Sequence, residues 1–332
     1  MKKFLLRRFV QMLVTLATVS FISFLVIELP PGDFLSVVEA NLEDQFFTEE
    51  QIEAELAGFR DRFGLDQPWI VRYLRWIGGL LRGDLGYSMA FGASGNDLVG
   101  ERLALSVTIS VATILFSLAV AIPIGLYSAV RQYSIADHFF TFLGFIGLAT
   151  PNFLLALLLM FMAVFVFNAS SIGGLFSADY IAASWSIPKV VDLMKHLWLP
   201  IIIIGTAGTA GTIRVVRARM LDTLGEPFIQ TARMKGLTER RVVTRHALRV
   251  AMNPVVSGMG LQMPQVIEGE TLTAIVLALP TIGPLLLMAV LAEDMLIAGS
   301  ILMILTTALI LGNFLADIGL AWLDPRIRQE VR

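Results

Sequence analysis

Apolar residues in this chain gather into long runs, separated by intervals of quite different polarity. Six runs stand out, at about 9–29, 104–130, 139–168, 197–216, 251–286 and 296–320. A helical crossing of a bilayer needs about 20 predominantly apolar residues. The pattern therefore predicts an all-α polytopic membrane protein with six transmembrane helices. One polar interval carries a helix signal of its own. Thr48 and Gln51 form a capping box, Ile52, Leu56, Phe59 and Phe63 follow at helical spacing, and Gly64 supplies a stop. This predicts an amphipathic helix of about four turns, packed either on its own domain or on a partner.

Charge divides the intervals by side. Residues 30–100 are acidic, with Glu39, Glu43, Asp44, Glu49, Glu50, Glu53 and Glu55. The N-terminus has Lys2, Lys3, Arg7 and Arg8, and the tail has Arg326, Arg328 and Arg332. Interval 214–249 holds Arg214, Arg217, Arg219, Arg233, Lys235, Arg240, Arg241, Arg245 and Arg249 against Asp222, Glu226 and Glu239. Basic residues favour the cytoplasmic side. Both termini and 214–249 are thus expected in the cytoplasm, with 30–100 outside, an arrangement that six crossings satisfy. Residues 169–195 are Ser/Gly-rich and read as a second external loop. Trp69, Tyr73, Trp76 and Tyr87 suit a membrane–water interface. The expected organisation is an N-terminal end and first helix over 1–29, an external domain over 30–100, and a transmembrane core over 101–332.

Composition agrees. Only 16% of the 332 residues are charged and 56% are hydrophobic, with mean hydropathy +0.75, whereas soluble domains carry about 25% charge. The first run follows a basic start, as a signal peptide would. It exceeds the roughly 7–15 apolar residues of a signal core, and Glu28-Leu29-Pro30-Pro31-Gly32-Asp33 offers no small-x-small cleavage site. It reads as an uncleaved anchor. Cysteine is absent, which removes disulfides, thiol nucleophiles and Cys-based metal sites. No phosphate loop of the G-x-x-x-x-G-K-[ST] kind occurs, so ATP binding through that device is not expected. His138, His196 and His246 lie far apart, and no metal cluster or catalytic constellation is expected.

Three stretches carry candidate function. In the basic interval, Pro227 suits a first helical turn and Gly236 the left-handed position after the last. The helix between them offers Ala232 as a small knob for close approach, with Arg233 and Lys235 as positive charge. It either docks on a protein or lies on anionic lipid. The run Gly205-Thr206-Ala207-Gly208-Thr209-Ala210-Gly211 lets helix backbones approach closely, for internal packing or for a face toward a second subunit or a translocation path. The fifth run is broken by Pro254, Gly258, Gly260, Pro264, Gly269, Pro280, Gly283 and Pro284, and it holds Glu268 and Glu270. Breaks at membrane depth are tolerated where backbone is buried in protein or lines a wet cavity. A carboxylate there costs about 2.5–3.5 kcal/mol, so these two face a polar path or gate, or sit solvated at the external edge.

Ordered motifs then resemble a known family. They are Phe4-Leu5-Leu6-Arg7-Arg8, Pro31-Gly32-Asp33, Phe63-Gly64-Leu65-Asp66-Gln67-Pro68, Gly83-Asp84-Leu85-Gly86-Tyr87-Ser88, Pro151-Asn152-Phe153, Arg245-His246-Ala247-Leu248-Arg249 and Asp324-Pro325-Arg326-Ile327-Arg328. Nearly end to end, the chain resembles the B-type inner-membrane permease subunit of dipeptide, oligopeptide and nickel ABC importers. The resemblance implies a type I importer permease in a bacterial inner membrane, with both termini cytoplasmic. Its partners would be a paralogous second permease, two ATP-binding subunits that hold ATP and Mg, and an external solute-binding protein. It also implies that Gln230, Thr231, Ala232 and Gly236, with Glu226, Arg233 and Lys235, form the ATPase-coupling segment, inside a coupling loop at about 217–249. Glu268, Glu270, Gly208 and Pro280 are the candidates for the path or gate.

Two positions depart from the family pattern. Gln230 stands where Glu often opens the coupling motif. After Glu270 the family reads E-T-V-F-x-x-P-G-L-G, whereas this chain has a longer segment to Pro280-Thr281-Ile282-Gly283 without the aromatic. Peptide is the leading solute and oligosaccharide the second. A self-sufficient ion-coupled transporter would call for paired intramembrane charges or an inverted repeat, neither of which the sequence displays.

Overall fold

The computed structural model describes residues 2–28, 39, 42, 48–63, 66–88, 90–166, 173–259 and 271–323. Its elements are α1 (Lys2–Glu28), α2 (Glu49–Phe63), α3 (Trp69–Leu81), a two-residue hairpin of β1 (Tyr87–Ser88) with β2 (Ala93–Ser94), α4 (Gly95–Val130), α5 (Ile135–Ala149) and α6 (Asn152–Phe165). Then come α7 (Ile187–Leu224), α8 (Pro227–Met234), α9 (Thr271–Val276), α10 (Ile282–Leu291) and α11 (Met295–Leu323). Among the described residues, four helices are long and apolar enough to cross a membrane, Leu6–Leu25 within α1, α4, α7, and Met295–Leu320 within α11, and the bent pair α5–α6 makes a fifth if it is one span. The chain is an all-α polytopic membrane protein.

The structure corrects one of the six predicted runs. The third, 139–168, is no single rod: α5 and α6 meet at 103°. Pro151 disfavours helical backbone at the residue before it, and Thr150 is extended at φ −90°, ψ 119°. The fifth, 251–286, is interrupted as expected, with short helices at 253–259, α9 and the start of α10, while 260–270 lies outside the described residues. Two polar intervals are also more helical than expected. α7 begins at Ile187, inside the expected external loop, and runs on to Leu224, inside the expected basic loop. Its polar ends are satisfied locally. Lys189 donates to the Ala183 carbonyl at 2.8 Å and lies over the Phe176 and Trp185 rings. Asp192 accepts from the Ser177 N–H and hydroxyl, each at 2.7 Å.

The chain forms two compact units. One joins 11–105 with 281–308. In it α2 has the predicted cap, with the Thr48 N–H donating to the Gln51 side chain at 3.1 Å, and Ile52 and Leu56 are buried. Phe24, Trp76 and Met303 form a buried cluster flanked by Leu16, Tyr73, Ile77, Leu80 and Leu296. Trp76 is therefore a core residue and not an interfacial anchor. Its Nε1 donates to the Ser300 hydroxyl at 3.2 Å, which donates on to the Leu85 carbonyl at 3.1 Å. Buried Asp294 accepts from the Ser88 hydroxyl at 2.5 Å and from the Ala90 N–H at 3.3 Å, tying the hairpin to the start of α11. Gly86 is required there: φ is +85°, and a Cβ would meet Leu296 at 2.8 Å.

The other unit comprises 1–10, 106–280 and 309–332. Its core gathers Ala129 of α4, Val216 and Met220 of α7, Ile229 and Ala232 of α8, and Val242, Val243, Ala247, Ala251 and Val255 beyond. α5 runs antiparallel along α7, with α6 packed on α7 and α9.

Candidate functional site

α8 is a short helix with both ends determined by sequence. Glu226 is extended at ψ 145° and caps through its backbone, its carbonyl accepting from the N–H groups of Ile229 at 3.0 Å and Gln230 at 3.4 Å. Pro227 takes the first helical position, where its missing N–H costs nothing. At the far end Gly236 adopts φ +75°. The Leu237 N–H reaches the Ala232 carbonyl at 3.4 Å and the Gly236 N–H reaches that of Arg233 at 2.9 Å. These two bonds form a Schellman motif, with half-buried Leu237 packed on the core below.

The helix turns one edge inward. Ile229 is fully buried and Ala232 is 7% exposed. Ala232 is thus not an outward knob; its small side chain lets α8 seat closely on its own unit. The outward surface consists of Phe228, Gln230, Thr231, Met234 and Lys235, with Met234 80% exposed. The Thr231 hydroxyl is used internally, donating to the Pro227 carbonyl at 3.0 Å. Arg233 donates to both oxygens of Glu239, at 3.1 and 2.7 Å, locking the turn after Gly236. That guanidinium holds the Glu239 carboxyl below its ordinary range. Arg240, Arg241 and Arg245 are exposed beyond it. Val242–Ala247 is π-helical, with Val242, Val243 and Ala247 buried.

The other candidates lie apart from α8. Gly208 on α7 is exposed, with open space where a Cβ would stand. Sixteen residues of helix put it about 24 Å from the α7 C-terminus. Gly205 does serve internal packing: a Cβ there would meet Phe116 at 3.0 Å. Pro280 is exposed at the end of the turn after α9. That turn carries Ala278 at φ +51° and closes through the Leu279 N–H on the Ala274 carbonyl at 2.8 Å. Glu268 and Glu270 lie outside the described residues. His138 and His196 sit on backbone carbonyls, of Ser134 at 2.9 Å and Asp192 at 2.8 Å. Among the described residues no group of three metal-ligating side chains forms.

Sequence reasoning missed an ion pair between buried Asp137 and half-buried Arg217. Arg217, which reads as one of many loop cations, donates from Nε to Asp137 Oδ1 at 3.0 Å and from Nη2 to Oδ2 at 2.9 Å. A signal was present: Ser134-x-x-Asp137 before an apolar run is a capping pattern. The Asp137 N–H does donate to the Ser134 hydroxyl at 3.2 Å, but the carboxylate turns to Arg217 instead of back to the cap.

Comparison with known proteins gives concordant matches along the chain. The profile of the family described as binding-protein-dependent transport system inner membrane component matches residues 121–329, and that of its N-terminal companion matches 1–104. The chain is 31% identical over 330 residues to the oligopeptide transport system permease protein AppB of Bacillus subtilis (strain 168), covering 98% of this chain and 99% of the relative. It is 31% identical over 346 residues to the dipeptide transport system permease protein DppB of Escherichia coli (strain K12), covering 99% and 100%. With the oligopeptide transport system permease protein OppB of Mycobacterium tuberculosis (strain CDC 1551 / Oshkosh) it shares 30% over 333 residues, covering 99% of each.

Proposed function

The chain belongs to the family of binding-protein-dependent transport system inner membrane components, and we propose that it is a peptide-importing permease coupled to ATPases through α8. Family membership and several crossing helices make it a multi-pass membrane permease, and in the proposed reading it transports solute and carries out no chemistry of its own. The proposed assembly contains a paralogous second permease, two ATP-binding subunits and an external solute-binding protein. ATP and Mg belong to the ATP-binding subunits. The observation that supports α8 as the docking element is its build: a helix fixed at both ends, seated by Ile229 and Ala232, presenting Phe228, Gln230 and Met234 in a basic segment. A helix laid into a partner's groove is a recurring recognition mode. Nucleotide binding by the partners moves α8, and the two permeases alternate access around a shared path. Glu268, Glu270, Gly208 and Pro280 are the proposed path or gate positions. Peptide is favoured as solute because the relatives spanning the whole chain are named as oligopeptide and dipeptide permeases.

Reconstitution of the complete assembly in liposomes tests this. ATP-driven accumulation of labelled alanine tripeptide is expected with all subunits, and none with this chain alone. Accumulation of maltotriose but not tripeptide would move the solute to oligosaccharide. Uptake by the chain alone, driven by an ion gradient, would overturn the reading.

The proposed orientation has both termini and α8 in the cytoplasm and α2 outside, in the bacterial inner membrane. It rests on the charge contrast between these segments. The absence of cysteine permits a clean check. Glu55→Cys on exposed α2 should react with a membrane-impermeant maleimide in intact cells, and Arg241→Cys only after the membrane is opened. The reverse pattern would invert the topology.

A further inference from the structure

We propose that the Asp137–Arg217 pair is the joint that carries movement of α8 into the bent α5–α6 pair, a role that rests on the coupling function proposed for α8. The pair's surroundings motivate it. α8 is seated through Ile229 and Ala232 in the cluster that also contains Val216 and Met220 of α7. Arg217 is the residue after Val216, two turns before α7 ends and the chain enters α8. Its guanidinium makes a two-pronged bond to Asp137, whose side chain is 3% exposed.

Asp137 is itself held from two more sides. Its Oδ2 accepts from the Tyr133 N–H at 2.9 Å, and its own N–H is bound by Ser134. Tyr133 sits at φ +62° in this turn, a conformation that costs a non-glycine residue free energy and persists only when its surroundings fix it. Asp137 thus fixes the start of α5 and ties it to α7 at one point.

The rest of the α5–α7 seam is closely packed. Moving away from the pair, Gly144 faces Ala210, and Gly147 faces Thr206 so closely that a Cβ would meet its methyl at 2.9 Å. Arg214 lies over the Phe145 ring at 5.1 Å. Small residues bring the backbones together without directional bonds that set their register along the axis. Asp137 is where side-chain hydrogen bonds fix the register of α7 on α5. Release and re-formation of this tie would give the discrete element that coupling between distant sites requires. At the far end of α5 the chain bends by 103° into α6. α6 packs on α9, the segment leading to Pro280. Axial force entering at α8 would leave α7 at Arg217 and reach α9 through α5 and α6.

Stability alone does not call for an ion pair here. An ion pair with even one buried member contributes little over apolar side chains of similar volume, and its best-attested use is to set registry. That contrast defines the experiment. In the complete assembly in liposomes, with labelled alanine tripeptide and maltotriose as probes, Asp137→Leu combined with Arg217→Met fills the seam without a directional tie. The expected result is a parental amount of assembled complex and about a tenfold fall in solute moved per ATP hydrolysed. Arg217→Lys keeps the charge but loses the fork and should lower the same ratio by about threefold. A parental ratio in the double variant overturns the joint. If the double variant does not assemble, Arg217→Lys decides: a parental ratio overturns the joint, and a lowered ratio at parental amount supports it. Failure of the parental assembly to accumulate either probe overturns the importer reading and the joint with it. Parental uptake with unchanged ratios in both variants overturns the joint alone.

Discussion

Ala232→Glu is expected to strip the protein from the membrane fraction, whereas Met234→Glu on the same helix should leave its amount unchanged and weaken ATPase association. The difference follows from which way each side chain points. Ala232 is 7% exposed and contributes to the cluster with Val216, Met220, Ile229 and Val242. A carboxylate forced into that cluster would sit among the apolar side chains of Val216, Met220, Ile229 and Val242. An unpaired buried charge costs several kcal/mol, and marginally stable domains hold only about 5–15 kcal/mol in total. Met234 is 80% exposed, so a charge there meets water until a partner covers it. Gly236→Ala is intermediate: nothing crowds the new Cβ, but φ +75° costs a side-chain-bearing residue about 1 kcal/mol. The measurements are membrane abundance by immunoblot and recovery of ATP-binding subunits in pull-downs. Normal abundance of Ala232→Glu with lost ATPase recovery would place Ala232 on the partner's side of the helix.

What could be read from the sequence follows the range of the forces involved. Helix ends set by neighbours were legible: the Thr48–Gln51 cap, Pro227 at the first turn of α8, and Gly236 in the left-handed position are all observed. Long apolar runs gave α1, α4, α7 and α11, because a crossing depends on composition over about 20 residues. Polar side chains satisfied by distant parts of the chain misled. Lys189, Asp192 and Arg217 look like loop residues, yet Ala183, Ser177 and Asp137 absorb their polar groups and α7 continues through them. The 103° break of α5–α6 was written in Pro151 but was masked by the surrounding hydrophobicity. The direction of Ala232 was not legible either. A helix of eight residues with apolar positions on more than one side does not reveal which side its own unit will take. Of the proposed site, the segment was therefore readable and the division between inner and outer faces was not.

Trp76→Ala should produce the largest loss of stability in the unit that joins 11–105 with 281–308. Trp76 is 8% exposed and centres a cluster with Phe24 and Met303. Its ring lies 5.9 Å from that of Phe24 and 6.5 Å from that of Tyr73. Removing it opens a cavity whose lining loses dispersion contacts, a penalty that does not depend on whether water or lipid lies outside. Such truncations cost about 3–5 kcal/mol. Trp76→Phe keeps much of the ring volume and loses chiefly the bond to Ser300, worth about 1 kcal/mol. Ser300→Ala leaves both the Trp76 N–H and the Leu85 carbonyl without their observed partner, so it should cost more than Trp76→Phe and less than Trp76→Ala. Thermal unfolding of the purified chain in detergent measures the order. A tryptophan that merely anchored the chain at the membrane surface would give a different result, with Trp76→Ala close to the parent in detergent and Ser300→Ala silent.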